Sequence, residues 1–401
     1  MSNTQKKNVP ELRFPGFEGE WEEKQLGDLT DRVIRKNKNL ESKKPLTISG
    51  QLGLIDQTEY FSKSVSSKNL ENYTLIKNGE FAYNKSYSNG YPLGAIKRLT
   101  RYDSGVLSSL YICFSIKSEM SKDFMEAYFD STHWYREVSG IAVEGARNHG
   151  LLNVSVNDFF TILIKYPSLE EQQKIGKFFS KLDRQIELEE QKLELLQQQK
   201  KCYIQKIFSQ ELRFKDEEGN YYKGWNKKQL KDVLEFSNKR TINENEYPVL
   251  TSSRQGLILQ SDYYKDRKTF AESNIGYFIL PKNHITYRSR SDDGIFKFNL
   301  NLMIDVGIIS KYYPVFKGID ANQYYLTLHL NYQLKKEYIK YATGTSQLVL
   351  SQKDLQNIKT KLPSYEEQQK IGDFFSEIDR LVEKQSSKVG RLKVRKKELL
   401  Q

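Results

Sequence analysis

Apolar residues recur along one stretch of the chain at Ile175, Phe179, Leu182, Ile186, Leu193, Leu196, Tyr203 and Ile207. They recur along a second stretch at Ile371, Phe375, Ile378, Val382, Val389, Leu392 and Leu399. Steps of three, four and seven make a heptad seam, the pattern of a long helix that packs against another helix. Each stretch opens with start chemistry: Pro167 and Pro363 lie just outside, and Ser168 with Glu171, like Ser364 with Glu367, has capping-box spacing. The first helix is expected to run from Ser168 to Ser209, roughly 60 Å at about 1.5 Å per residue. Alone, each helix would expose its stripe to water. The pattern therefore predicts that the two pack on each other, in antiparallel sense and related by a pseudo-two-fold axis.

Between the helices the period changes. The stretches Glu20–Tyr166 and Lys223–Leu362 carry short β-type runs such as Val106–Ile116 and Ile275–Ile279, broken by Gly, Asn, Asp and Ser. Helices are expected at Lys122–Tyr135 and Asn331–Tyr341. Weak matches link the two stretches: Leu46–Ile55 with Val249–Ile258, Tyr60-Phe61 with Tyr263-Tyr264, and Phe81–Ser86 with Ile285–Arg290. They read as one α/β (α+β) fold with different loops. The predicted plan is a first recognition domain (1–166), a helical region (167–209), a second recognition domain (210–362) and a second helical region (363–401).

The duplication is sharpest at the helix starts. Pro167–Arg184 returns at Pro363–Arg380 with 14 of 18 positions identical at an offset of 196. Glu11–Phe14 (ELRF) returns at Glu211–Phe214, and Trp21 with Gln25-Leu26 returns as Trp225 with Gln229-Leu230. Near-identical frames around divergent inserts suggest one scaffold that carries two different readers.

Charge narrows the partner. The 401 residues carry a formal net charge of +12, which suits a polyanion such as nucleic acid or an anionic membrane surface. The start MSNTQKKNVPELRF lacks an apolar signal core, and no run is long enough to cross a bilayer. Cys113 and Cys202 lie in non-equivalent places, so neither a disulfide framework nor a cysteine metal site is expected. A cytoplasmic setting follows as an expectation.

Catalytic signatures are missing from the sequence. It has no GxxxxGK[ST], HExxH, GxSxG or dinucleotide-binding glycine turn, and His133, His149, His284 and His329 are scattered. The adjacent pair Asp292-Asp293 reads as a turn former, with no metal expected. The polar loops after the matched strands are richer. The first insert offers Ser49, Gln51, Asn84, Lys85, Tyr87, Asn89, Arg147 and Asn148, and the second offers Ser253, Arg254, Gln255, Arg288, Arg290 and Ser291. Arg and Lys can bond the guanine edge, Asn and Gln the adenine edge, and hydroxyls suit phosphates. Each residue equally suits an ordinary polar turn at a surface. A single-chain DNA-modifying enzyme and a coiled-coil adaptor with protein-binding inserts both remain open at this point.

Taken together, PELRFPGFEGEW (Pro10–Trp21), PSLEEQQKIG (Pro167–Gly176) and PSYEEQQKIG (Pro363–Gly372) resemble the specificity subunit of type I restriction–modification systems, over essentially the whole chain. The resemblance implies two target recognition domains, each reading half of a split DNA site, joined by constant helices in an antiparallel coiled coil. It implies a non-catalytic chain that binds no cofactor. S-adenosylmethionine would come with two adenine-methylating modification subunits, and ATP and Mg with the full complex that includes restriction subunits. By the same resemblance Glu170, Glu171, Gln172, Glu366, Glu367 and Gln368 are expected on the partner-docking surface. The second helix ends at Gln401, equivalent by the offset to Gln205, whereas the first continues to about Ser209.

Overall fold

The structure, a computed structural model, describes residues 10–50, 52–61, 69–86, 90–142, 152, 154–264 and 273–401. Two compact units divide the chain: Met1–Gln191 with Ser387–Gln401, and Lys192–Ser386.

In the first unit a four-stranded antiparallel sheet has the order Thr30–Arg32, Tyr111–Ile116, Phe81–Asn84, Ala95–Arg98. Two hairpin-like pairs flank it, Leu46–Ser49 with Gly53–Asp56 and Thr74–Lys77 with Ser104–Leu107. A separate ribbon pairs Glu22–Gln25 with Leu163–Tyr166. Aromatic side chains fill the core, where Tyr83 stacks on Phe159 at 4.7 Å and Trp134 is fully buried. Such rings favour pleated, half-buried surfaces, which is why these runs form strands.

The second unit repeats the plan strand for strand. Its sheet has the order Leu234–Ser237, Val315–Gly318, Ile285–Tyr287, Phe298–Leu300. Its flanking pairs are Leu250–Ser253 with Gly256–Leu259 and Phe278–Pro281 with Val306–Ile309, and its ribbon joins Asn226–Gln229 to Lys359–Leu362. Tyr287 stacks on Phe298 at 4.7 Å, as Tyr83 does on Phe159. The reading of one fold with different loops agrees with this shared topology.

Three local expectations need correction. Val106–Ile116 is two strands, because the chain turns at Ser108, whose carbonyl accepts the Tyr111 N–H at 3.2 Å. Lys122–Tyr135 is a helix only to Asp130, since Ser131 closes it through bonds to Ala127 and Tyr128. The helix expected at Asn331–Tyr341 instead spans Gln323–Tyr332, started by Asn322, whose side chain accepts the Tyr325 N–H at 2.8 Å. Tyr338–Tyr341 adds one further turn.

The long helices run Leu169–Phe208 and Tyr365–Leu399. In the first unit Lys396 bonds Asp183 at 2.7 Å, Lys393 bonds Glu190 at 2.5 Å and Lys388 bonds Glu189 at 2.5 Å. In the second, Lys200 pairs with Asp379, and the Tyr203 ring meets Phe374 edge-on at 5.2 Å. Numbers rise along one helix as they fall along the other, so the packing is antiparallel in each unit. The seam residues Leu182, Ile186, Ile371, Phe375 and Val389 are buried, and Ile175, Phe179, Leu193, Leu196, Ile378, Val382 and Leu392 are half-buried.

The capping boxes are only half formed. Ser168 and Ser364 accept the N–H of Glu171 and Glu367, both at 3.4 Å, but each glutamate turns away to an arginine.

Candidate nucleic-acid interface and the repeated clamp

The repeated PS-x-EEQQKIG segment faces inward. Arg13 grips Glu171 with two parallel bonds, at 2.8 and 2.7 Å, and Arg213 grips Glu367 at 3.2 and 2.7 Å. Forked arginine–carboxylate pairs are among the stronger polar contacts available to a chain. Gln172 accepts the Ser121 N–H at 3.0 Å and donates to the Pro167 carbonyl at 2.9 Å. Gln368 does the same with Asn322 at 3.2 Å and Pro363 at 3.1 Å. Ser121 and Asn322 are the caps of Lys122–Asp130 and Gln323–Tyr332. Each repeated glutamine thus ties the first turn of a long helix to the cap of a helix in its own recognition domain. Gly176 and Gly372 permit this approach: a Cβ on Gly176 would lie 2.6 Å from the Phe124 amide nitrogen, and one on Gly372 2.6 Å from the Asn322 side-chain oxygen.

This corrects the expectation for Glu171, Gln172, Glu367 and Gln368. All four are buried and held by partners within the chain, because an unpaired buried carboxylate or amide would be costly. Of the six residues expected on a docking surface, Glu170 and Glu366 are exposed. The clamp's other half, Arg13 and Arg213, is visible in the sequence as part of the recurring ELRF, where nothing assigns it a role.

The loops of the second recognition domain converge. Arg254 and Gln255 sit exposed at the tip of the Ser253–Gly256 turn, which Ser253 closes by donating to the Gly256 carbonyl at 2.9 Å. Buried Asn299 pins that hairpin through bonds to Ser252 and Ser253, both 2.8 Å. Arg254 donates to Asp293 at 2.7 Å. The Ile295 N–H, the Ser291 hydroxyl and Arg254 together hold the Asp293 carboxyl below the usual carboxylate range. Arg290 lies 5.7 Å from the Tyr312 ring, Arg288 is exposed, and Ser291 is buried. Gln347 reaches Asp292 at 2.7 Å and joins the same cluster. Sequence reading missed Gln347 and Tyr312. Gly344, with φ +109°, marks the turn that precedes Gln347 and was the available signal.

The first domain is different. Ser49 is buried and accepts the Leu52 N–H at 3.2 Å. Asn84 accepts the Ser86 N–H at 3.1 Å, and Lys85 donates to the Val154 carbonyl at 3.2 Å. Three of its candidates therefore serve local turns in this structure. Gln51, Tyr87, Asn89, Arg147 and Asn148, together with His149, lie outside the described residues.

Cys113 and Cys202 are free thiols, and burial pushes Cys113 up to about 12. Among the described residues, no group of three His, Cys, Asp or Glu side chains could hold a metal ion, and no helix is long and apolar enough to cross a membrane.

The family model for the type I restriction modification DNA specificity domain matches twice, at residues 18–198 and 222–390, and the chain belongs to that family. It is similar to the type I restriction enzyme MjaVIII specificity subunit of Methanocaldococcus jannaschii, 24% identical over 428 aligned positions covering 98% of this chain and 93% of the relative. Among solved structures it shares the fold of the type I restriction–modification S subunit from M. genitalium, with a TM-score of 0.58 at 16% identity over 98% of both chains. A chain from a structural study of type I complex assembly and conformational transition matches with a TM-score of 0.50 at 18% identity, again over 98% of both.

Proposed function

We propose that this chain is the address-reading subunit of a type I restriction–modification complex. Each recognition domain reads one half of a bipartite DNA site, and the paired helices set the gap between halves. The observation that carries this reading is the repeated clamp: two domains of one topology, each locked to a long helix by the same Arg–Glu and Gln bonds, but with unlike loops. Two small readers joined stiffly gain affinity because the second binding event becomes intramolecular. Helix length then acts as a ruler. One heptad spans roughly 10 Å at about 1.5 Å per residue, near three base pairs at about 3.4 Å each.

In this reading Arg254, Gln255, Arg288 and Arg290 bond bases and phosphates in the second half-site. The constant helices dock two modification subunits. Those bring S-adenosylmethionine and the pocket for a base taken out of the stack, and restriction subunits with ATP and Mg join through them. This chain contributes no catalytic group.

The test is a DNA-binding titration of the assembled methylating complex across a salt series, with Arg288→Ala/Arg290→Ala beside the parent. The parent should bind more weakly as salt rises, linearly in log salt, with a slope near −0.9 per phosphate neutralised. The variant should discriminate less at one half-site, by about 1–3 kcal/mol for each base-edge bond removed, with the other half-site unchanged. Equal weakening at both halves would contradict the division of labour.

A further inference from the structure

The two units differ at one place where their plans otherwise coincide. In the second unit, Ile207 and Phe208 at the end of the first long helix are buried, 1% and 6% exposed. The Phe208 ring packs within 6.1 Å of Trp225, 6.0 Å of Tyr325 and 5.8 Å of His329. Counting from the caps Ser121 and Asn322, Tyr325 corresponds to Phe124 and His329 to Tyr128, and Trp225 corresponds to Trp21. In the first unit these three counterparts line a groove of about 310 Å³ together with Leu12, Phe178 and Leu400. Leu400 stands where Ile204 stands in the other copy, by the offset of 196. Among the described residues none fills the place that Phe208 fills in the second unit. The volume is at the small end of the range of about 300–1,000 Å³ for ligand pockets, and its wall is apolar and open, with Leu12 71% exposed.

We infer that this groove is a receptor for a helical turn bearing an aliphatic–aromatic pair, the chemistry that Ile207 and Phe208 bring to the equivalent place, and that a partner polypeptide supplies the turn. The second copy shows what the shape accepts: an aromatic ring edge-on to a tryptophan, with an aliphatic side chain one residue before it. This chain does not lend the pair from elsewhere. Ile207 and Phe208 are buried in their own unit, so a second copy cannot present them, and the first nine residues, MSNTQKKNV, hold no aromatic side chain. The inference does not depend on which bases the chain reads.

The experiment titrates a helix-stapled peptide spanning Tyr203–Phe208 into the full chain by calorimetry. The expected result is saturable one-to-one binding, at least tenfold weaker for the peptide with Phe208→Ala and for the chain with Leu12→Asp. A parallel arm appends Lys-Ile-Phe after Gln401 and compares its melting temperature with that of a chain carrying Lys-Ala-Ala. If only the appended Lys-Ile-Phe stabilises and the free peptide does not bind, the groove belongs to the chain's own helix and the partner source is overturned. If neither arm responds, the groove is no receptor for such a turn.

Discussion

Lys396 donates to Asp183 at 2.7 Å, tying the last turns of the second long helix to the first. The same pair recurs 196 residues away with the helices exchanged, as Lys200 with Asp379. Such reciprocity is what a duplicated chain produces when its copies pack antiparallel, since each pair must be met twice. Lys396 also reaches Asp130 at 2.8 Å, so the first-unit pair is reinforced from the recognition domain, where Lys97 bonds Asp130 at 2.6 Å.

Replacing Lys396 by Met should therefore destabilise the first unit, on the order of 1.5–3 kcal/mol, the usual cost of removing bonds to charged groups. Burial alone would raise Asp130, but Lys97 and Lys396 hold it below the usual carboxylate range, while burial opposes and Asp130 and Asp183 together raise Lys396. The Asp130 contribution is complete above the unfolded value near pH 3.9 and fades as acid protonates it in the folded state. The Lys396 contribution is complete below the unfolded value near pH 10.4 and fades as pH climbs through its folded value. Urea unfolding of parent and variant at pH 4, 7 and 10 checks both limbs, and the difference should be largest at pH 7.

Arg213→Ala should strand the Glu367 carboxylate, which is 1% exposed. Removing one partner of a buried pair costs about 3–5 kcal/mol. Unfolding followed by Trp225 fluorescence should show the destabilisation, with Arg213→Lys recovering only part because it lacks the fork.

The two motif glycines should not respond alike. A methyl on Gly176 meets backbone, at Phe124 N and Asp123 C, whereas one on Gly372 meets the Asn322 side chain, which can move. Gly176→Ala should cost about 1–3 kcal/mol from overpacking. Gly372→Ala should cost less, offset by up to about 1 kcal/mol of helix propensity. Equal effects in thermal unfolding would contradict the clamp geometry.

How much of the fold and site is legible in sequence depends on what each residue answers to. The heptad seam is readable because apolar spacing alone sets which helix face is buried. Gln172 and Gln368 read as outward-facing, since nothing local shows that a cap some 50 residues upstream needs an acceptor. The helix Gln323–Tyr332 escapes its expected place because QYYLTLHL is rich in β-type residues, and its tertiary packing outweighs that preference. Ser49 and Arg254 both sit beside polar turns, yet one points into its turn and the other out. Turn geometry decides that, and composition does not carry it.

His329 offers a pH test specific to the second unit. Complete burial pushes its imidazole down to about 3, with Thr360 2.7 Å from Nε2. An unfolded histidine binds a proton near pH 6.5 and the folded one does not, so stability should fall as pH drops between about 6.5 and about 3. The slope should approach about 1.4 kcal/mol per pH unit, and His329→Gln should flatten it in the same denaturant series.

Mapping methylated adenines across the genome, in cells with and without this gene, tests the reading most directly. The expected result is one split, non-palindromic motif with a fixed gap, methylated only when the gene is present and unmethylated in both halves together when it is absent. Methylation that stays unchanged without the gene, or that falls on an unbroken palindrome, would contradict a chain that reads two half-sites for its complex.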